Sequence, residues 1–112
     1  MKYYPDNWVL VKLITPRETL YKVLGGWSGS YLEGTSWRLN SGIKEMVFNP
    51  EENVYEAHGY SSSIYILHPV SEGHRRATAG IVETLQKQAE TKEGISVEEI
   101  TLEQYLKEVQ NE

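Results

Sequence analysis

The chain has 112 residues, a formal net charge of −5 and no cysteine. A disulfide scaffold, a cysteine-ligated zinc site and a thiol nucleophile are therefore excluded. The length fits one domain with one hydrophobic core, and no apolar run approaches the roughly 18 residues that a membrane span needs. We expect a single domain over residues 1–112 that is cytoplasmic and has no membrane partner.

The acidic excess is confined to the C-terminal end of the chain. Residues 1–89 carry nine acidic and nine basic side chains, whereas residues 90–112 carry seven acidic and two basic ones. An acidic segment repels phosphate backbones, so we expect no binding to duplex nucleic acid. The segment is either a solvated helix face or a surface that steers a basic partner protein.

Strand patterns dominate the chain from residue 6 to residue 68. The β-branched run over residues 8–14 and the segment 20–24 predict an antiparallel hairpin with a loop of about five residues. Four glycines in residues 25–34 predict a loop or a sharply bent, bulged strand. Alternation then predicts a strand over residues 36–43 that ends near Gly42, and residues 45–48 continue as strand.

The clearest hairpin lies over residues 54–59 and 63–68, with its turn at Gly59–Ser62 and its end at Pro69. In this register position 58 lies opposite position 63. His58 and His68 are then about 16 Å apart along the strands, too far to share a metal ion.

Helical periodicity replaces alternation from Arg75 onwards, so we expect helical structure over residues 75–110. Ile81, Leu85 and Ala89 lie on one helix face, with Gly80 inside that helix at a cost of about 1 kcal/mol. A second helix is predicted over residues 102–110 with Thr101 as its N-cap. Residues 95–100 are either a first helical turn or a short edge strand.

Strands followed by helices indicate the α+β class. We expect a curved antiparallel sheet of five or six strands, followed by two C-terminal helices packed on one face or one end. The exposed edges of such a sheet would suit a homodimer.

The sequence contains no recognisable catalytic constellation. A nucleophile elbow needs the pattern Gly-x-Ser-x-Gly, and Gly26–Ser30 has serine instead of glycine at the last position. No glycine cluster is followed by the Lys-Ser/Thr of a phosphate loop. We therefore predict a non-enzymatic protein with no catalytic residue, no metal site and no cofactor. A small enzyme with an unfamiliar site is the third hypothesis, behind the two given below.

Two groups of residues are candidates for binding. His74, Arg75 and Arg76 are either an anion site at the start of the first helix or a surface cluster paired with Glu72 or the acidic end. The stretch from residue 25 to residue 43 combines aromatic rings and a guanidinium with glycines, which is typical of interface anchors and of stacking sites for bases. Its tryptophans are alternatively core residues. The predicted binding residues are Trp27, Tyr31, Trp37, Arg38, Asn40, Arg75 and Arg76.

Residues 21–43, which read YKVLGGWSGSYLEGTSWRLNSGI, resemble a stretch in small uncharacterised proteins of tailed bacteriophages, especially T4-like cyanophages. Asp6–Val9 and Gly59–Ser63 are similar too, so the resemblance covers about residues 6–68. It implies no activity and no catalytic residue. It does imply a small phage accessory protein that acts inside the host cytoplasm.

Two functions follow as hypotheses. The first is a non-enzymatic protein that binds a host or phage protein, one version being the inhibition of a host defence system. The alternative is a protein that binds a nucleotide or another small anionic ligand through Trp27, Trp37, Arg38 and Arg75 or Arg76.

Overall fold

The computed structural model describes residues 1–29 and 34–110. Within these residues the chain forms eight strands and two helices, which confirms the α+β class. The strands are β1 Lys2–Tyr3, β2 Asn7–Ile14, β3 Thr19–Ser28, β4 Thr35–Leu39, β5 Ile43–Asn49, β6 Val54–Gly59, β7 Ile64–Leu67 and β8 Ser96–Ile100. The helices are α1 Ile81–Glu90 and α2 Leu102–Gln110.

The strands form two four-stranded sheets, so the prediction of one curved sheet of five or six strands is wrong. The β2 sheet has the order β4-β3-β2-β8, and the β6 sheet has the order β1-β7-β6-β5. The predicted strand over residues 36–43 is divided at Asn40, Ser41 and Gly42. Gly42 has a φ of +130°, a backbone conformation that interrupts a regular strand, and there the chain leaves one sheet for the other.

Both predicted hairpins are present. In the first, β2 pairs with β3 and Trp8 lies opposite Gly25. In the second, β6 pairs with β7, but His58 lies opposite Ile64 instead of position 63. The register is therefore one residue away from the prediction.

The glycines at the end of β3 continue a regular ladder, so no loop or bulge lies at Gly25 and Gly26. A Cβ atom on Gly26 would lie 2.6 Å from the Asn7 Oδ1 atom and 2.9 Å from the Thr78 Cγ2 atom. Glycine is required here because neighbouring side chains approach the backbone closely. These two glycines, which contributed to the predicted loop or bulge, are therefore strand residues, and Gly26 is small because of the packing around it.

The C-terminal part differs from the prediction in two ways. A strand, β8, separates the two helices and pairs with β2 as an edge strand, which decides the open assignment of residues 95–100. Helix α1 begins at Ile81 instead of Arg75, because Gly80 has a φ of +82° and is its N-cap. The predicted cap of α2 is confirmed, since the Gln104 N–H donates to the Thr101 hydroxyl at 3.0 Å.

The main core lies between the two sheets. Trp8 and Leu10 of β2 pack in one buried cluster with Tyr65 and Leu67 of β7, and α2 adds Tyr105 to this cluster. Alternate residues of β2 face the other way. Val9 and Val11 pack in a second, smaller cluster with Val82 of α1. Helix α1 therefore covers the outer face of the β2 sheet, while α2 completes the core between the sheets.

Candidate functional site

Arg38 of β4 lies over an aromatic pair at one side of the core. Its Cζ atom is 4.8 Å from the centre of the Tyr3 ring, and its Nη1 atom donates to the Tyr3 hydroxyl at 3.3 Å. Tyr3 in turn stacks on Tyr65, with ring centres 4.9 Å apart. The guanidinium is solvent-exposed, and it forms no ion pair with any carboxylate of the described residues.

Asn40 lies just after Arg38 and is buried, with 5% of its surface exposed. Its Oδ1 atom accepts the Val23 N–H at 2.8 Å and the Gly42 N–H at 3.2 Å. Two accepted backbone hydrogen bonds identify that atom as the oxygen. The Nδ2 atom has no partner among the described residues, which is uncommon for a buried amide and requires an explanation.

A cluster of serine hydroxyl groups lies beside Asn40. The Ser41 hydroxyl donates to the Ser61 hydroxyl at 3.1 Å, and the Ser61 and Ser63 hydroxyls are 3.3 Å apart. The turn that carries Ser61 is held against the connection between β4 and β5, because the Ser61 N–H donates to the Ser41 hydroxyl at 3.1 Å. From the sequence, Ser61 was predicted in a turn and Ser41 and Ser63 in strands, with no role at a binding site. Their signal was the run of three consecutive serines at residues 61–63.

These groups line one cavity of about 320 Å³, which we call the Arg38 cavity. Its lining includes Tyr3, Arg38, Asn40 and the serines, and among the described residues it includes no carboxylate. Guanidinium, amide and hydroxyl groups are all hydrogen-bond donors, and one of them is charged. The arrangement can therefore receive an anionic group.

The two tryptophans of the predicted site lie elsewhere. Trp27 is half-buried, its Nε1 atom donates to the Tyr4 carbonyl oxygen at 3.0 Å, and its ring meets the edge of Tyr3 at 6.3 Å. Trp37 and Arg38 are consecutive in β4, so their side chains point to opposite faces of the β2 sheet. Trp37 is 46% exposed. Tyr31 lies outside the described residues.

The basic cluster at residues 74–76 is separate from Arg38. It lies in the turn before α1 instead of at the helix start, and the N–H groups of Thr78 and Ala79 already donate to the Arg75 carbonyl oxygen. Arg75 and Arg76 are exposed and form no ion pair with a described residue. The predicted pairing with Glu72 is absent, since Glu72 instead accepts the Leu102 N–H at 2.8 Å.

His74 joins this turn to β8 through an arrangement that resembles a catalytic triad. One ring nitrogen contacts the Glu99 carboxylate, and the other lies 3.1 Å from the Thr78 hydroxyl. Thr78 is fully buried, however, and its oxygen accepts a hydrogen bond from the Asn7 amide at 3.0 Å. Because this hydroxyl is not accessible, it is not placed to act as a nucleophile. The contacts instead attach the turn to β8 through Glu99 and to β2 through Asn7.

No matching family model, curated protein or solved structure was found for this chain. The resemblance to phage proteins therefore stays a prediction. Among the described residues, no helix has the length and apolar character needed to cross a bilayer.

Proposed function

We propose that this protein binds a small anionic ligand in the Arg38 cavity. The observation that carries the proposal is a cavity lined by an exposed arginine, serine hydroxyl groups and Asn40, whose buried Nδ2 atom has no hydrogen-bond partner among the described residues. A buried polar group left unpaired costs about 1–3 kcal/mol, and an anion in the cavity would remove that cost. This is the alternative hypothesis predicted from the sequence, with Arg38 retained, the tryptophans and Arg75 and Arg76 left out, and Asn40 added from the predicted binding residues.

The lining favours a phosphate or carboxylate group on a small molecule over a stacked base. At about 320 Å³ the cavity is at the lower end of the usual range for ligand pockets, about 300–1,000 Å³. Tyr65 is only 1% exposed, and Tyr3 is already in contact with Tyr65, Trp27 and Arg38. The rings are therefore already engaged in contacts within the protein, which leaves the Arg38 guanidinium and the serine hydroxyl groups to bind a ligand.

Calorimetric titration with inorganic phosphate, glycerol phosphate, AMP and citrate tests the proposal. Arg38→Gln should weaken the binding of the best ligand at least about tenfold, because a hydrogen bond to a charged group contributes about 1.5–3 kcal/mol. Arg75→Gln is the matched control, since it removes another exposed arginine without an ion pair. Absence of binding by all four anions, or equal losses in the two variants, would refute the proposal.

A second function, binding of a host or phage protein, is favoured by the position of Trp37. It lies half-exposed on β4, the edge strand of the β2 sheet. An edge strand offers unpaired backbone groups to a partner strand, and an exposed tryptophan beside it is a suitable anchor. We propose a host protein as the partner, which is compatible with the inhibition of a defence system implied by a phage origin.

A pull-down from the native host lysate tests this second function. Trp37→Ala should lose the captured partner, whereas Phe48→Ala should keep it. Phe48 is an appropriate control because it is equally exposed, at 46%, on the edge strand β5 of the other sheet. If Trp37→Ala instead unfolds the protein in a thermal melt, the ring is a core residue and the interface hypothesis fails.

A further inference from the structure

A second cavity lies on the opposite face of the β2 sheet, beneath helix α1. Its volume is about 230 Å³, and we call it the Lys22 cavity. The first turn of α1 packs tightly on the sheet through Val82, which is 7% exposed. Further along the helix the inward residue is Ala89, whose methyl group is too short to fill the space above Val11 and Leu13. The Lys22 cavity therefore exists because α1 has an alanine, Ala89, at this inward position.

The walls of this cavity are mainly aliphatic. Strands β2 and β8 contribute Val11, Leu13 and Val97, and α1 contributes Leu85. Leu85 and Val97 are only partly buried, so apolar surface remains accessible to a small molecule. Covering that surface would be favourable, because it removes apolar area from water.

Two lysines also belong to the lining, Lys22 on β3 and Lys92 just after α1. Neither forms an ion pair with a described residue. By contrast, the nearby Lys87 of α1 pairs with Glu83 at 3.4 Å. Two ammonium groups beside an aliphatic gap are complementary to a molecule with an anionic head and an apolar tail.

We propose that the Lys22 cavity binds a short- to medium-chain aliphatic carboxylate. The carboxylate lies at Lys22 and Lys92, and the hydrocarbon chain lies between α1 and the outer face of the β2 sheet. This site is distinct from the Arg38 cavity, because Leu39 is the one described residue that lines both cavities and the charged groups of the two are different. Failure of either proposal leaves the other standing.

A homologous series from butanoate to decanoate, measured by calorimetric titration, tests the apolar part. Each added methylene should tighten binding about fourfold, which corresponds to about 0.8 kcal/mol for each CH₂ group that is buried. The gain should stop once the chain fills the cavity. Absence of binding throughout the series, or an affinity that does not change with chain length, would overturn the proposal.

Matched alcohols and lysine variants test the charged part. The alcohol of equal chain length should bind more weakly than the carboxylate, and Lys22→Gln and Lys92→Gln should each weaken carboxylate binding about two- to fivefold, the range for partly exposed ion pairs. The affinity of the alcohol should not change in either variant. Lys87→Gln is the control, because it removes a lysine of α1 that lies outside the cavity lining. Equal losses in all three variants would overturn the role of the two lysines.

Filling the cavity gives an independent test. Ala89→Leu should abolish carboxylate binding while phosphate binding at the Arg38 cavity persists. If Ala89→Leu lowers the melting temperature too far to be assayed, Leu85→Phe fills the same space from a partly exposed position. Undiminished carboxylate binding in a folded filled variant would place the ligand elsewhere and overturn the proposal.

Discussion

Asn40 links the fold to the candidate site. Its side-chain oxygen accepts backbone hydrogen bonds from Val23, in the buried part of β3, and from Gly42, where the chain changes sheets. Its side-chain nitrogen is buried without a partner among the described residues, and Asn40 lines the Arg38 cavity. One residue thus stabilises the connection between the sheets and also belongs to the lining of the cavity.

Asn40→Ala should lower the free energy of unfolding by about 2–3 kcal/mol, because it leaves the Val23 N–H buried without an acceptor. Denaturation by urea measures the change. Ser36→Ala on exposed β4 is the control and should stay within about 0.5 kcal/mol of the parent protein. An equally small change in Asn40→Ala would show that the hydrogen bonds of its oxygen do not stabilise the fold.

Glu108 of α2 connects that helix to the β2 sheet. It accepts hydrogen bonds from the Lys12 ammonium at 2.5 Å and the Tyr21 hydroxyl at 3.0 Å. The hydrogen bond from Lys12 is the largest cause that lowers the pKa of Glu108 below its ordinary value of 4.5, and Tyr21 acts in the same direction. The same hydrogen bond raises the pKa of Lys12 above 10.5.

These pKa shifts predict the pH range over which the contact stabilises the fold. A carboxylate with a lowered pKa stabilises the folded state above its unfolded pKa, and the contribution is lost as pH falls through the folded value. For Lys12 the contribution is present below the unfolded pKa and is lost as pH rises through the raised folded value. The pair therefore stabilises the fold at neutral pH and weakens on the acid side of about pH 4.5 and the basic side of about pH 10.5.

The measurement is the free energy of unfolding of the parent protein and of Glu108→Gln as a function of pH. The difference between them should be largest near neutral pH and should shrink in acid. Glu103→Gln is the control on the same helix, because Glu103 pairs with Lys107 while both side chains remain more than 70% exposed, and such pairs contribute little. A difference for Glu108→Gln that does not depend on pH would contradict the interpretation.

Among the secondary-structure elements, helix α1 differs most from its prediction at Gly80. The sequence predicts this glycine inside the helix, whereas in the structure it is the N-cap. If Gly80 lay inside the helix, the substitution Gly80→Ala would stabilise the protein by about 1 kcal/mol. As an N-cap with a φ of +82° it should make the same change destabilising by about 1–2 kcal/mol. Space is not the cause, since an added Cβ meets no atom within 4 Å.

Thermal unfolding of Gly80→Ala and Gly80→Asn distinguishes the two interpretations. Asparagine tolerates the left-handed conformation better than alanine and is a favourable N-cap. We therefore expect Gly80→Asn to lose less stability than Gly80→Ala. A rise in melting temperature for Gly80→Ala would mean that α1 begins earlier, as the sequence pattern suggests.

The elements that sequence reasoning identified are those whose partners are close in the chain. The hairpins β2–β3 and β6–β7 follow from local alternation and turns. By contrast, β1 has only two residues and pairs in parallel with distant β7, and β8 pairs with β2 across most of the chain. Alternation shows which face of a strand is buried but not which sheet it joins, so the passage between sheets at Gly42 was missed.

The candidate site was predictable only in part for the same reason. Arg38 and Asn40 were identified because they lie in one distinctive stretch. Tyr3 and the serines at residues 61–63 come from distant segments, and only the fold brings them beside Arg38. Trp37 was grouped with Arg38 by composition, although consecutive strand residues face opposite sides.

Across the whole molecule, some carboxylates of the acidic C-terminal segment form contacts with other parts of the fold. Glu99 contacts His74 and Glu108 contacts Lys12, so these two carboxylates attach β8 and α2 to the rest of the protein. Glu98 and Glu103 are exposed. The predicted solvated face therefore applies to some of these acidic residues, whereas others form ion pairs within the fold.

The main core includes residues of both sheets and of α2, so we expect the molecule to unfold in one cooperative step. Trp8 is a natural reporter, because its ring is fully buried between the sheets and its Nε1 atom donates to the His68 carbonyl oxygen at 2.9 Å. Tryptophan fluorescence and far-UV circular dichroism should give coincident urea transitions. Separate transitions would mean that the two sheets are independent units.

Entry of an anion into the Arg38 cavity is the central proposal for this protein, and the Asn40 side-chain amide is expected to report that event directly. A titration with inorganic phosphate, followed by ¹⁵N-¹H correlation spectra at constant ionic strength, should shift both Asn40 Nδ2 proton signals and the backbone signals of Ser61–Ser63 together, to saturation. Chloride at the same ionic strength should not shift them. Unmoved Asn40 signals, while phosphate shifts signals elsewhere or nowhere, would contradict the account.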